Sequence, residues 1–152
     1  MEEQAETMLS SQAKRIKNYP ELKAQIERHL EETKRQGQLV RGCIERLGGG
    51  TSTVKDTAAK MMAFGQGLSG LFVGDEVVKG SLASYTFEHM EIASYKILIA
   101  AADEAGDQQT KRVCEEILQQ EQAMAAWLES HLADTTRKYL AREETPGVTA
   151  KH

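Results

Sequence analysis

Several ionisable side chains fall where a helical core should be. In TFEHMEIASYKI, residues 86–97, Glu88, His89 and Glu91 stand among apolar residues at helical spacing, and Glu121 interrupts a second apolar run, EILQQEQAMAAWL (116–128). An ionised carboxylate left alone in an apolar interior costs several kcal/mol, so an inward glutamate must be protonated, paired with a cation or bound to a metal. Glutamates from different helices, with histidine beside them, are the donor set that helical bundles use for paired iron or manganese ions.

Helical rotation of about 100° per residue sorts these candidates. On the last long helix Val113, Ile117, Met124, Leu128 and Leu132 define an apolar stripe with Glu121 almost at its centre. On the helix before it, Val78, Tyr85, Ile92 and Ile99 set the centre; Glu88 then falls about 30° away, His89 about 70°, and Glu91 about 90° on the other flank. The 33 residues from Glu88 to Glu121 suit antiparallel helices crossing at matching depth. On the second helix His29 and Glu32 lie within about 60° of the stripe while Glu31 lies about 160° away. His29 and Glu32 are i and i+3 and can converge on one point. On the first helix Glu2 is nearer the inner face than Glu3. The competing account is a buried polar pair, with Lys34 or Arg28 as counter-charge or Tyr85 or Tyr95 donating to Glu88.

Four long helices must position these groups. The first is expected to end at Asn18-Tyr19-Pro20, and the second to run from about Glu21 to Leu47, stopped by Gly48-Gly49-Gly50. Thr51, Ser52, Thr53 and Asp56 offer caps to a connecting helical segment broken by Gly65, Gly67, Gly70 and Gly74. The third is expected over about Asp75–Glu104, closed by Gly106; Asp107 caps the fourth, Gln108–Leu132, and a short final helix starts at Asp134. The predicted fold is all-α: a four-helix bundle with a crossover helical segment and a short C-terminal helix, filling residues 1–143, with a flexible polar tail over 144–152.

Composition narrows the function classes. The 152 residues carry a net charge of −4 and only 5% aromatics, so neither a basic footprint nor a base-stacking platform points to nucleic acid or an anionic membrane. There is no signal peptide and no apolar run of membrane length, which predicts a cytoplasmic protein. Cys43 and Cys114 form no CxxC and read as reduced, packed thiols. The glycine-rich stretch matches no phosphate loop, and no Ser-His-Asp or Cys-His arrangement favours hydrolysis.

The segments HLEET (29–33), EHMEIASY (88–95) and EEILQQEQ (115–122) resemble, in order and interval, the ferritin-like YciE/YciF family of bacterial stress-response proteins over roughly residues 1–140. The resemblance implies a ferritin-like bundle, a homodimer, and a di-metal centre of iron or manganese whose ligands map to Glu2, His29, Glu32, Glu88, Glu91 and Glu121. It also implies an association with osmotic, oxidative or stationary-phase stress, the family's activity being undefined. Peroxide or dioxygen is the expected co-substrate of such a centre. Family members can carry a histidine at the position of Lys34 and an acid near Ala125, so this chain is expected to lack two possible ligands. They also tend to have more chain ahead of the first-helix glutamate, so Met1 is expected to truncate that helix. The alternative is a metal-free dimeric bundle acting by protein interaction, with MAFGQGLSGLFVG (62–74) as its self-association surface.

Overall fold

The computed structural model describes residues 1–48 and 77–150. The expectations for the glycine-interrupted crossover, its caps and the 62–74 surface fall on residues outside these. Four helices form: α1 (Glu2–Arg15), α2 (Pro20–Arg46), α3 (Val77–Glu104) and α4 (Gln108–Glu143), and no strand occurs among the described residues.

Local chemistry sets the boundaries. Ile16 turns extended after α1, and Pro20 opens α2 at a position where its missing N–H costs nothing. Gly106, at φ 70°, closes α3, with the Asp107 amide donating to the Ala102 carbonyl at 2.8 Å. A left-handed residue there is cheap only for glycine. The Asp107 carboxylate then caps α4 by accepting from the Thr110 amide at 3.1 Å and also takes Arg46 of α2.

The short final helix expected at Asp134 is instead a continuation of the 36-residue α4. No glycine or proline breaks the chain there, and Asp134 pairs with Lys138 one turn on at 2.8 Å, which favours continuing the helix over restarting it. Beyond α4 the chain folds back: Tyr19 donates to the Ala150 carbonyl at 2.7 Å, and Arg142 to that of Thr149 at 3.0 Å.

Contacts between helices fix the topology. Gln12, near the end of α1, reaches Gly80 and Ser84 near the start of α3, while Glu2 reaches Tyr95 further along. Gln25 meets Met124 and Arg46 meets Asp107, so α2 runs antiparallel to α4. It follows that α2 and α3 are parallel, with the end of α2 and the start of α3 at opposite ends of the bundle. This up-down-down-up order is that of ferritin-like bundles. α1 packs chiefly on α2, and α3 on α4.

One apolar cluster, including Leu9, Ile26, Phe87 and Leu128, fills one end, and Tyr95, Cys114 and Ile117 fill the other. Cys43 and Cys114 are both free and buried. The inward face of α3 differs from the expected stripe: Ser81, Ser84, Glu88, Glu91 and Tyr95 are buried, whereas Leu82 and Ile97 are 60% and 56% exposed. α3 carries apolar residues on nearly every side, so hydrophobicity alone does not orient it: Ser81, Ser84, Glu88 and Glu91 lie inward while Lys79, Thr86, His89 and Lys96 lie outward. Leu9→Ala is therefore expected to cost about 3 kcal/mol in urea denaturation, against under about 0.5 kcal/mol for Leu82→Ala. Equal costs would contradict this orientation.

Candidate metal centre

Between the two apolar clusters lies a polar layer to which every helix contributes. Glu2 of α1, His29 and Gln36 of α2, Glu88 and Glu91 of α3, and Glu121 of α4 are all buried, with His29 and Glu121 at 0% exposure. The His29 Nε2 atom stands 3.2 Å from Glu88 Oε2 and 3.3 Å from Glu121 Oε2, yet makes a hydrogen bond to neither. These distances allow strong charge attraction between the ring and both carboxylates. The donor atoms of His29, Glu88 and Glu121 all lie within 4.8 Å of one another.

The remaining candidates divide. Glu91, expected at a boundary, is fully inward, while its flanking partner His89 is exposed and meets Tyr85 edge-on at 4.5 Å. Glu2 accepts a hydrogen bond from the Tyr95 hydroxyl at 2.5 Å. Tyr95 thus serves Glu2 rather than Glu88. Glu32 is not part of the buried cluster; its side chain is 37% exposed and it contacts the other ring nitrogen, His29 Nδ1, at 2.9 Å. That contact fixes the ring and leaves Nε2 facing the carboxylates.

Gln36 escaped the sequence reading. Its side-chain amide donates to Glu121 Oε1 at 2.5 Å and to Gln120 Oε1 at 2.9 Å. Its position two turns after His29 was the available signal, since i and i+7 share a face.

Neither proposed counter-charge reaches the cluster: Lys34 is exposed and pairs with Glu31 at 2.6 Å, and Arg28 is exposed. A histidine at position 34 would face solvent, so Lys34 costs the interior no ligand. Ala125 is buried one turn beyond Glu121, where an acid would reach inward.

Burial and proximity distort every titration here. Burial pushes Glu88 up to about 8 against the attraction of the nearby His29, pushes Glu2 up to about 7 against its hydrogen bond from Tyr95, and holds Glu91 well above the ordinary carboxylate range. Burial also works against charge on His29, but Glu121 and Glu88 outweigh it and raise His29 to about 11. Burial works to raise Glu121, but His29, Glu88 and Gln36 together hold it below its usual value. Near neutral pH and without metal, Glu121 is thus negative, His29 positive, Glu88 and Glu91 chiefly protonated, and Glu2 in the middle of its titration.

The residues also fit a metal. Among the described residues, Glu2 Oε2, Glu88 Oε2, Glu91 Oε1, Glu121 Oε2 and His29 Nε2 are buried without hydrogen-bond partners. Buried polar atoms in folded proteins are rarely left so, and several converging together need an explanation. Four carboxylates and a neutral imidazole are hard and borderline donors suited to iron or manganese, and two divalent ions would balance their charge.

Fold and donor set together define a ferritin-like bundle with a buried carboxylate–imidazole cluster. The chain belongs to the family described as a domain of unknown function, DUF892, which matches residues 1–141. It is similar to a solved protein of Xanthomonas campestris pv. campestris, with 42% identity and a TM-score of 0.77 over 95% of this chain and 89% of that one. The YcfI protein of Rhodopseudomonas palustris shares the fold at 23% identity and a TM-score of 0.61, over 84% of this chain and 83% of that one. Among the described residues no helix is long and apolar enough to cross a membrane.

The raised groups give a pH prediction. Glu2, Glu88 and His29 bind protons more tightly folded than unfolded, so the stability they add is complete below their unfolded values of 4.5, 4.5 and 6.5 and is lost towards about 7, 8 and 11. Glu121 has the opposite sign and loses its contribution as pH falls below the ordinary carboxylate range. Metal-free protein should therefore lose urea stability steadily between pH 5 and pH 9, with a shallower slope in Glu88→Gln. A flat profile would contradict the protonation scheme.

Proposed function

We propose that this is a cytoplasmic, homodimeric ferritin-like protein of the YciE/YciF stress-response type that holds two iron or manganese ions between its helices. The observation that carries the reading is the convergence of His29, Glu88 and Glu121 donor atoms within 4.8 Å, in a layer whose carboxylates keep unpartnered oxygens. Glu88, Glu121 and His29 would hold metal, and Glu2 and Glu91 would supply further oxygens. Glu32 stands behind the imidazole and sets its tautomer, a role beside the ligand set rather than in it. Tyr95 and Gln36 hold the Glu2 and Glu121 carboxylates in place through the hydrogen bonds described above. Bound ions would supply electron transfer to a small oxidant, peroxide or dioxygen. The apolar clusters on either side keep water from competing for these groups.

A second reading, a metal-free bundle acting through protein contacts, is favoured by the His29 charge lying between Glu88 and Glu121 and by the exposed Leu82 and Ile97 on α3. Anaerobic loading with Fe(II) or Mn(II) followed by metal analysis separates the two. The expected result is two ions per wild-type chain and loss of both in Glu88→Ala/Glu121→Ala. Calorimetry in buffers of different ionisation enthalpy should also show protons released on binding, because Glu88 and His29 must give theirs up. Metal-free protein after loading of the wild type overturns the first reading and leaves the second.

A further inference from the structure

A cluster this deeply buried needs a way in for whatever it binds. Glu2 belongs both to the cluster and to the wall of a groove of about 450 Å³ between the first turns of α1 and the second half of α2. Glu2 is only 8% exposed, and its Oε2 has no partner. Glu3, Glu6, Gly37, Arg41 and Gly42 line the groove with it.

The two glycines lie inside a helix, where glycine is less favourable than alanine. Close packing requires neither of them, though only Gly37 has a neighbour within reach of a Cβ. A Cβ on Gly37 would meet Glu2 Cβ at 3.5 Å, an ordinary contact, whereas a Cβ on Gly42 would meet nothing within 4 Å. Gly42 therefore relieves no clash; what it leaves behind is open space in the groove wall. At the rim Glu3, Glu6 and Glu45 are exposed, and the cations opposite are partly engaged: Lys34 by Glu31 at 2.6 Å, and Arg41 by Glu3 at 3.5 Å. The Arg41–Glu3 pair ties α2 to α1 across the mouth.

We infer that this groove is the route by which a divalent cation reaches the buried cluster, and that Glu2 is the first inner carboxylate it meets. The acidic rim gathers cations, the glycines keep the passage free of side chains, and the unpartnered Glu2 oxygen, closed off from solvent, is a hard donor on the inner side of the wall that Glu2 forms. This rests on the metal-centre reading and adds to it the direction of approach.

The test is the rate of uptake, followed by stopped flow with aqueous Co(II), whose visible absorption reports ligation by carboxylate and imidazole. Gly42→Leu places its Cβ in open space on the groove wall and replaces a poor helix former, so the variant should fold at least as stably as wild type. Uptake is expected to slow tenfold or more in Gly42→Leu, with the final number of ions per chain unchanged. Ala93→Leu, on the exposed face of α3, should load at the wild-type rate. Arg41→Gln, which removes both the tie and a positive charge, should load severalfold faster at low salt, with the gain shrinking as salt rises. Wild-type rates in both Gly42→Leu and Arg41→Gln, with stoichiometric uptake, would overturn the route and leave the metal centre standing. A wild-type protein that takes up no Co(II), Fe(II) or Mn(II) would overturn both.

Discussion

A carboxylate stays charged in a dry interior only if something positive stands beside it, and this bundle buries four of them, none more than 8% exposed. The rest of the architecture follows from that constraint. Each helix gives up part of its inward face to a polar residue, the hydrophobic core is divided into two clusters, and one imidazole supplies the positive charge that the chain itself provides. Gln36 and Tyr95 then spend their hydrogen-bonding capacity on keeping individual oxygens oriented. Such a layer is a poor way to stabilise a bundle, since apolar residues of similar volume would do it better. Its persistence in the interior is the physical reason to look for a ligand rather than for a structural role.

Much of this was legible in the sequence where apolar and polar residues alternate clearly. Glu121 lies in a well-marked stripe, and the His29–Glu32 spacing announced the contact between them. α3 is harder, because a helix apolar on nearly all sides has no clear hydrophobic face to orient it; a stripe centred on Tyr85 and Ile92 is rotated away from the real inward face and puts Glu91 at a boundary it does not occupy. Gln36 was missed because a neutral amide raises no electrostatic alarm, although its position two turns from His29 placed it inside.

The boundaries divide in the same way. Gly106 and Asp107 set the turn before α4 through backbone geometry and a cap, both of which are local and readable. The break expected at Asp134 did not occur, since a capping residue is also a good i, i+4 partner when a lysine follows, and nothing in the local chain decides between those uses. The comparison of positions 34 and 125 carried a related lesson: a residue type tells which donor has been lost, but only the helix face tells whether it ever pointed inward.

The parallel arrangement of α2 and α3 has a consequence for how the layer comes into being. α1 with α2 and α3 with α4 are two antiparallel hairpins, each built from neighbours in the chain. Glu2, His29 and Gln36 belong to the first; Glu88, Glu91 and Glu121 belong to the second. Neither hairpin alone removes its carboxylates from water, so the electrostatic cost of the polar layer falls on the docking of the two halves. A cation held there would act as a clasp between hairpins, linking its own capture to the last step of assembly.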